Sequence, residues 1–415
     1  MGKKELARNS EIFQKKMKIL ILSNKLPYPP RDGGSIATLN MITGLQDAGN
    51  KITCLALNTS KHPFPVDQIP VELSSSIRFI GVDCDSSIRP LRLGSNLLFS
   101  SHPYIAERFN NKAFRLSLSS LLQKESFDII QLEGPYPGQY LDVIRNKSKA
   151  IVSLRAHNVE HLIWKRKALH ERSPLNRWYM NNLARRLKAY ELEVAHRTDR
   201  LIAISDYDRT YFREQGIQRP SLTIPAGLIL ANYPLTELPD TPTIFFIGAL
   251  DWMPNQEGLN WFLQKVFHKL LTELPELRFH VAGRNAPSSF ERRLNHPNIV
   301  YHGEVSDAQN FMQAYRLMVA PLLTGSGIRI KILEGMALGR PVVTTSTGIE
   351  GIPARIQQDV AVADKPYEFS NHIIRLLRNW EESNRMRLDA RKLIEQNFDT
   401  LELSNRLTQF YKKEV

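Results

Sequence analysis

Short runs of apolar, β-branched residues alternate with longer segments of helical periodicity along most of this chain. The first such unit runs from an apolar strand pattern at 17–23, through the glycine pair Gly33 and Gly34 and a helix pattern, to a second strand pattern at 52–57. Strands that alternate with helices pair in parallel, because a right-handed crossover returns the chain to the same edge of the sheet. The alternation therefore predicts an α/β fold built on doubly wound parallel sheets.

The alternation occurs in two series, which predicts two domains. In the first half of the chain it continues through further strand patterns at 77–82, 129–132, 151–154 and 201–204. The segment 232–242 then carries three prolines and no apolar periodicity, which is typical of a linker. A second series of strand patterns follows, at 243–247, 277–281, 299–301, 317–321 and 341–344. We therefore expect a polar tail at 1–16 and two Rossmann-like domains, at 17–232 and 233–395, that face a central cleft.

Composition excludes several classes of protein. The chain has 415 residues, of which 42% are hydrophobic and only two are cysteine, and its apolar runs are too short to span a bilayer. These values argue against disordered, disulfide-rich and integral membrane proteins. The start of the sequence has no secretory signal pattern, so a cytoplasmic location is expected.

Positive charge is concentrated in two segments. Lysine and arginine number 55 against 42 acidic residues, a net charge of +13, to which residues 1–18 contribute +4 and 161–200 contribute +6. The second segment also contains Trp164 and Trp178, so two interpretations stay open: a peripheral contact with an anionic membrane surface, or a solvated helix whose aromatic residues join the core. The sequence shows no helix-turn-helix, zinc-finger or aromatic RNA-binding signature, so no nucleic-acid partner is expected.

A glycine-rich loop follows the strand pattern at 317–321 and leads into a predicted helix at 328–338. Glycines let the backbone approach a ligand closely, and the free N–H groups at a helix start favour an anion. Arg329 and Lys331 lie near that helix start, where a bound phosphate would offset the unfavourable placement of a cation. The alternative is a surface ion pair between Lys331 and Glu334, three residues apart.

The whole segment from Pro321 to Thr345 resembles the donor site of GT-B fold retaining glycosyltransferases of the family 4 type. It reads P-x-x-x-G-x-G-x-R-x-K-x-L-E-x-M-A-x-G-x-P-V-V-x-T. The family typically carries two glutamates eight positions apart, and Glu334 matches the second, which accepts hydrogen bonds from the ribose of the nucleotide. Ser326 stands where the first would be, so the usual carboxylate contact to the donor sugar is missing.

Further motifs match the family in the expected order: PYPPRDGG at 27–34, LRAHNVEH at 154–161, FIGALDW at 246–252, VAGRN at 281–285 and HGEV at 302–305. The resemblance implies a hexosyltransferase that uses a nucleotide diphosphate sugar, and a last segment, 396–415, that packs as a helix on the first domain. The implied catalytic residues are His157, Arg329 and Lys331, and the implied acceptor-binding residues are Arg155 and Asn158. Glu133 also follows a strand and is a further acceptor-binding candidate, although the polarity of a loop explains it nearly as well. The implied donor-binding residues are Gly33, Gly34, Gly248, Arg284, Val305, Ser326, Gly327, Ile328 and Glu334.

The resemblance implies no metal and no cofactor. Asp83 and Asp85 form an Asp-x-Asp triplet of the kind that holds a divalent ion in GT-A transferases, but such triplets are common by chance. The expected acceptor is a glycan or lipid-linked precursor of a cell-surface polysaccharide. Two alternatives stay open: a GT-B sugar-nucleotide epimerase, and a nucleotide-sugar-binding protein that has lost catalysis.

Overall fold

The computed structural model describes residues 16–30, 32–171, 173–325 and 327–413, and the chain divides into two compact units. The first unit takes the chain up to Gly227 and again from Thr400 onward, and the second spans Leu228–Asp399. The predicted boundaries at 232/233 and 395/396 lie within a few residues of these divisions. The predicted polar tail at 1–16 lies almost entirely outside the described residues.

The first unit is built on a parallel sheet that has seven strands among the described residues, in the order β3-β2-β1-β4-β5-β6-β7. The strands are β1 (Lys18–Ser23), β2 (Lys51–Thr59), β3 (Ile77–Cys84), β4 (Ile129–Glu133), β5 (Ile151–Ala156), β6 (Arg200–Ala203) and β7 (Ser221–Thr223). The helices are α1 (Gly33–Asp47), α2 (Val71–Ser74), α3 (Pro90–Phe99), α4 (Tyr104–Glu107), α5 (Lys112–Lys124), α6 (Leu141–Lys147), α7 (Glu160–His170), α8 (Pro174–Arg197) and α9 (Asp206–Glu214).

The second unit repeats this plan with six strands among the described residues, in the order β10-β9-β8-β11-β12-β13. The strands are β8 (Thr243–Ile247), β9 (Arg278–Ala282), β10 (Ile299–Tyr301), β11 (Leu317–Ala320), β12 (Val342–Thr344) and β13 (Ala361–Val362). The helices are α10 (Met253–Phe262), α11 (His268–Glu273), α12 (Ser288–Glu291), α13 (Ala308–Gln313), α14 (Ile330–Ala337), α15 (Pro366–Arg378) and α16 (Trp380–Asn397). The predicted pair of parallel-sheet α/β domains is thus confirmed.

Strand β1 shows why the central strands are continuously apolar. Leu20 and Leu22 belong to the hydrophobic cluster on one face of the first sheet, whereas Ile19 and Ile21 belong to the cluster on the other face. A parallel sheet covered by helices on both sides buries every side chain of its central strands.

The last helix, α17 (Thr400–Lys412), packs in the first unit. It contributes Leu403, Leu407 and Tyr411 to the cluster that also contains residues of α1. Gly44 in α1 permits this approach, because a Cβ atom there would lie 2.3 Å from Ser404 Oγ.

Helix α14 is shorter than the predicted helix at 328–338. Arg329 is its N-cap residue and has an extended backbone, so the first helical residue is Ile330. At the other end Gly339 has φ +66°, and the Arg340 N–H donates to Gly335 O at 2.8 Å. This hydrogen bond and the left-handed backbone conformation of Gly339 are typical of a Schellman-type C-cap, which ends the helix.

The basic segment 161–200 forms parts of α7 and α8 and fits neither of its two interpretations completely. Leu183 and Leu187 are buried and Trp164 packs against the core, as the core interpretation requires. Leu169 and Trp178, in contrast, are well exposed. Within the described residues no helix combines the length and the apolar character needed to cross a bilayer.

Candidate functional site

The strand order locates a candidate site in each unit. In the first sheet the order reverses between β1 and β4, and in the second between β8 and β11. Beside such a reversal the crossover connections leave the sheet in opposite directions, which opens a crevice at the carboxyl ends of the strands. The predicted site residues follow strands at these edges, with the two sets in separate units.

In the first unit the crevice is lined by a buried polar network around Glu133. This residue ends β4 and pairs in register with Ser23 of β1 on one side and Arg155 of β5 on the other. Its Oε2 accepts hydrogen bonds from Arg155 Nη1 at 2.9 Å, His157 Nε2 at 2.6 Å and Thr38 Oγ1 at 3.2 Å. Its Oε1 accepts from Gln131 Nε2 at 2.5 Å. Three donors meet Oε2 and one meets Oε1, so most of the acceptor capacity of this carboxylate is in use.

The network keeps Glu133 ionised. Burial alone would raise the pKa of this carboxyl, but the charge of Arg155 and the charge that His157 carries when protonated, together with the hydrogen bonds from His157 and Gln131, outweigh burial and lower the pKa to about 2. An ionised carboxylate that meets four donors is a fixed acceptor. Glu133 therefore fixes the positions of its hydrogen-bond donors, and these donors fix the position of its carboxylate.

The acceptor role predicted for Glu133 and Arg155 has no support in the structure. Glu133 is 3% exposed and Arg155 is fully buried, and they form an ion pair with each other. His157 and Asn158 follow directly after β5 and are partly exposed, so they remain available to a ligand. His157 is thus the group of this network that faces outward.

The glycine pair Gly33 and Gly34 forms the first turn of α1. Asp32 caps the helix by accepting from the Ser35 N–H, and Lys25 Nζ lies 2.6 Å from its carboxylate. Burial would raise the pKa of Asp32, but Lys25 and the hydrogen bonds from Lys25 and Ser35 lower it to about 2. The loop that leads to the two glycines is thus held in place by a charged cap.

In the second unit three predicted donor-site loops lie side by side at the carboxyl edge of the sheet. Gly248 follows β8 and donates to Ala282 O, and Gly283 follows β9 and donates to Gly303 O. Leu250 N–H donates to Arg284 O at 2.9 Å, which ties the first two loops together. Gly248, Arg284 and the Gly303–Val305 segment therefore form one continuous edge.

The glycine-rich loop after β11 is attached to this edge through α10. A Cβ atom at Gly258 in α10 would lie 1.9 Å from Pro321 O, so only glycine fits this approach. Thr324 Oγ1 also donates to Glu257 Oε2 at 2.7 Å. Gly325 and Gly327 both have positive φ, at 119° and 79°, a backbone conformation that favours glycine. Ser326, between them, lies outside the described residues.

Arg329 folds back over this loop. Its Nη1 donates to Gly327 O at 2.5 Å, and a Cβ at Gly325 would lie 2.9 Å from its Nη2. The guanidinium therefore lies beside the backbone of the loop and close to the start of α14. Ile328, between Gly327 and Arg329, is partly exposed at the same place.

Glu334 lies inside α14 and is 4% exposed. Its Oε1 accepts from the Tyr233 hydroxyl at 2.9 Å, and Lys331 Nζ lies 3.0 Å from its Oε2. Burial and the neighbouring carboxylate both raise the pKa of Tyr233, so the phenol stays protonated and donates. The ion pair of the alternative interpretation is present, but its glutamate is buried and is therefore no ordinary surface residue.

Sequence reasoning missed Thr38, Tyr411 and Tyr233. The first two belong to the Glu133 network, and Tyr233 lies in the segment predicted as a linker. In the structure this segment packs on the second unit, where Arg340 Nη2 donates to Thr236 O at 2.8 Å. One signal was present: Gln131 and Glu133 alternate with apolar residues in a strand that is otherwise continuously apolar, which indicates a polar network on one face.

The Asp-x-Asp triplet is engaged by neighbouring side chains. Asn58 Nδ2 donates to Asp83 Oδ1 at 2.9 Å, and Arg89 Nη2 donates to Asp85 Oδ2 at 2.6 Å. Among the described residues no group of three or more His, Cys, Asp or Glu side chains is arranged to hold a metal ion.

Two family models match the chain, one in each half. The model "Glycosyltransferase Family 4" matches residues 31–231, and the model "Glycosyl transferases group 1" matches residues 241–379. The first match contains the Glu133 network except for Tyr411, and the second contains the glycine-rich loop and Glu334. Both candidate sites therefore lie within the matched residues.

Similar proteins agree with these matches. An uncharacterized 44.6 kDa protein of the cps region of Klebsiella pneumoniae is 24% identical over 402 residues, covering 92% of this chain and 97% of that protein. The structure of sucrose-phosphate synthase from Thermosynechococcus elongatus has a TM-score of 0.69 at 16% identity, covering 96% and 99% of the two chains. A TarM mutant from S. aureus, in complex with fondaparinux, α-GlcNAc-glycerol and UDP, has a TM-score of 0.68 at 11% identity, covering 95% and 99%. The structures show the GT-B fold, and the two family models, which between them match 31–231 and 241–379, show that the chain belongs to the GT-B fold glycosyltransferases of the family 4 type.

Proposed function

We propose that this glycosyltransferase moves a sugar, with retention of configuration, from a nucleotide diphosphate sugar to a glycan or lipid-linked precursor of a cell-surface polysaccharide. The observation that carries the donor assignment is Glu334, a buried carboxylate in α14 beside the glycine-rich loop. The similarity to a protein of a cps region supports the polysaccharide assignment, and the TarM complex with UDP supports a nucleotide diphosphate.

Glu334 is suited to bind the ribose of the donor. A carboxylate accepts two hydrogen bonds from vicinal hydroxyls, and bonds to a charged acceptor in a buried place contribute about 1.5–3 kcal/mol each. Lys331 is the partner that a ligand can replace most easily, because its side chain is 35% exposed whereas Tyr233 is buried. We infer that ribose hydroxyls take over Oε2 of Glu334 and free Lys331 to move toward the diphosphate.

Arg329 and Lys331 supply positive charge for the leaving diphosphate. The backbone N–H groups of Gly327 and Ile328, at the entrance to α14, add donors at the positive end of the helix. The loops at Gly248, Arg284 and Val305 complete the edge on which the donor lies. Charge that develops on the phosphate as the sugar leaves is stabilised by groups already in place.

Retention needs no covalent intermediate on the protein. The acceptor hydroxyl attacks the anomeric carbon from the side of the leaving group while the bond to the diphosphate oxygen breaks, and a phosphate oxygen takes the hydroxyl proton. His157 contacts a hydroxyl of the donor sugar, and Asn158 beside it contacts the acceptor. Gly33 and Gly34, at the start of α1, contribute backbone N–H groups to donor binding in this proposal. No metal and no cofactor enters this proposal.

We propose further that the acceptor is reached at an anionic membrane on the cytoplasmic side. Helix α3 exposes Leu91, Leu98 and Phe99, at 90%, 75% and 86%. Helix α8, whose Tyr179 lines a small cavity with Leu93 and Leu97 of α3, exposes Trp178. Arg186 of α8 lines the same cavity and donates to Ser100 O, next to Phe99, so positive charge lies beside the exposed apolar side chains, as a contact with an anionic bilayer requires.

Sedimentation with lipid vesicles tests this surface. The wild type is expected to bind vesicles that contain phosphatidylglycerol more strongly than pure phosphatidylcholine, and a double variant Leu91→Ser, Leu98→Ser is expected to lose most of this binding. Val71→Ser, at an exposed apolar residue of α2, is the control. Equal binding of the double variant and this control would contradict the membrane surface.

Calorimetric titration with UDP, GDP and ADP, with and without EDTA, tests the donor site. We expect one of the three to bind without added metal and Glu334→Ala to weaken that binding about 100-fold, because two charge-assisted hydrogen bonds are lost. Glu273→Ala is the matched control, since Glu273 also forms an ion pair in the second unit, with Arg378, but lies just ahead of β9 at the opposite edge of the sheet. If none binds, or if Glu334→Ala binds as well as the control, the donor-site assignment is wrong.

The two alternatives to sugar transfer, an epimerase and a binding protein without catalysis, predict different products when the purified protein is incubated with a nucleotide sugar. An epimerase would convert the bound nucleotide sugar into its epimer without any acceptor. A binding protein without catalysis would bind the nucleotide and leave every donor and acceptor unchanged. Incubation with the tightest-binding nucleotide sugar, followed by chromatography of the sugar products, separates these outcomes from transfer.

A further inference from the structure

The Glu133 network extends to a residue that lies far from it in the sequence. Tyr411, in the last helix α17, is fully buried, and its hydroxyl lies 2.6 Å from Gln131 Oε1. Gln131 is in turn bonded to Glu133, and Glu133 to His157. A continuous chain of hydrogen bonds therefore joins the last helix to the one histidine of this network.

Every hydrogen bond in this chain has only one possible direction. An ionised carboxylate only accepts, so Gln131 must turn its amide nitrogen toward Glu133 and its carbonyl oxygen toward Tyr411. Tyr411 must then donate. Burial raises the pKa of Tyr411, which keeps the phenol protonated and able to do so. The proton positions are thus set by chemistry from the helix to the carboxylate.

The same reasoning fixes the proton of His157. Its Nε2 lies 2.6 Å from Glu133 Oε2, an atom that only accepts, so Nε2 must carry hydrogen. In a neutral imidazole the other nitrogen, Nδ1, then has a lone pair and no hydrogen. The ring is 20% exposed, so it can meet a ligand.

We propose that Glu133 holds neutral His157 as the Nε2–H tautomer, so that Nδ1 accepts a hydrogen bond from a sugar hydroxyl, and that Tyr411 is a positioning residue which acts through Gln131. This inference rests on the proposed function for the identity of the ligand, but not for the tautomer. It gives His157 the role of an acceptor that orients the donor sugar, and it gives the last helix a part in the site.

The tautomer is measured by nitrogen-15 NMR on the full-length protein labelled at histidine, with His157→Gln to assign the signal. In the wild type, at a pH where the His157 ring is neutral, we expect Nε2 to show the chemical shift of a nitrogen that carries hydrogen and Nδ1 to show that of an unprotonated nitrogen. In Glu133→Gln the side chain can also donate, so both tautomers are expected. In Tyr411→Phe, Gln131 loses its anchor, and we expect the His157 Nε2–H signal to shift and kcat/KM for transfer to fall about two- to tenfold.

Tyr140→Phe is the matched control. Tyr140 is also fully buried in the first unit, and its hydroxyl donates to Phe109 O at 2.7 Å, outside the His157 network. Tyr140→Phe removes one buried hydroxyl, as Tyr411→Phe does, but we expect the nitrogen-15 shifts of His157 to remain unchanged.

Three results would overturn the inference: an Nδ1–H tautomer in the wild type, an unchanged tautomer in folded Glu133→Gln, or equal shifts in Tyr411→Phe and Tyr140→Phe. If Glu133→Gln does not fold, the first and third comparisons still decide. Because the tautomer is read without substrate, a failure here is distinct from a failure of the proposed function, which would appear as absent nucleotide binding with an intact Nε2–H signal.

Discussion

Glu133 in the first unit and Glu334 in the second are both buried carboxylates beside a reversal of strand order, yet they are bound very differently. Glu133 meets four donors from Thr38, Gln131, Arg155 and His157. Glu334 meets two partners, the hydroxyl of Tyr233 and the ammonium of Lys331. The first carboxylate uses most of its acceptor positions within the protein, whereas the second uses fewer of them and can accept more hydrogen bonds from a ligand.

This difference separates a residue that positions others from a residue that binds a ligand. A ligand can reach Glu334 by displacing a partly exposed lysine, because water hydrates the released ammonium and the hydroxyls of the ligand replace it at the carboxylate. A ligand can reach Glu133 only by breaking a buried ion pair, which is costly because the remaining charge stays buried. Burial alone does not distinguish the two roles, but the number and kind of existing partners does.

Glu133→Gln gives the largest expected effect. The substitution leaves Arg155 fully buried without its counter-charge, and we expect the free energy of unfolding at neutral pH to fall by about 3–5 kcal/mol. The loss should depend on pH, because the pKa of Glu133 is about 2 in the folded protein against an ordinary value of 4.5. A lowered pKa stabilises the fold above pH 4.5 and ceases to do so as the pH falls toward 2. As the pH falls from 4.5 toward 2, the difference in the free energy of unfolding between the wild type and Glu133→Gln should therefore shrink by roughly 3 kcal/mol.

Urea unfolding at a series of pH values measures this advantage. Asp142→Asn is the control, because Asp142 pairs with Arg197 in the same unit but its side chain is 71% exposed. Such a pair contributes about 0–1 kcal/mol. A difference between wild type and Glu133→Gln that matches the control, or that grows toward acid pH, would show that Glu133 is not the fixed acceptor described here.

The fold follows closely from the sequence, because each element is determined by local patterns. The apolar runs of β1 and β8 are buried on both faces, and the alternation of strands and helices fixes parallel pairing. The helix predicted at 328–338 is longer than α14, because Arg329 has an extended backbone and its side chain donates to Gly327 O instead of continuing the helix surface. A pattern of residue types does not contain that contact.

The site was predictable only where the sequence places its residues close together. Gly327, Arg329 and Glu334 occur within one short motif, so the sequence alone groups them as one candidate donor segment. The Glu133 network was not, because Arg155 is 22 residues from Glu133 and Tyr411 is 280 from Gln131. Without knowledge of which strands pair, the sequence predicts Glu133 and Arg155 as separate polar residues that face the acceptor, whereas in the structure they form a buried ion pair.

Lys331→Met gives the smallest expected loss in the free energy of unfolding. It also tests most directly whether Glu334, unlike Glu133, exchanges a protein partner for a ligand. Because Lys331 is 35% exposed whereas Glu334 is buried, loss of the ion pair leaves a buried carboxylate bound only by Tyr233 among the contacts described above, and the free energy of unfolding should fall by about 1–3 kcal/mol, less than for Glu133→Gln. If Lys331 moves to the diphosphate when ribose binds Glu334, affinity for the preferred nucleoside diphosphate should fall about tenfold, while affinity for the matching nucleoside stays unchanged. Calorimetry with both ligands measures this, and Lys365→Met, in a more exposed pair with Glu368, is the control. Equal losses for nucleoside and diphosphate would mean that Lys331 serves only to orient Glu334, and that the second carboxylate, like the first, is held by partners that no ligand displaces.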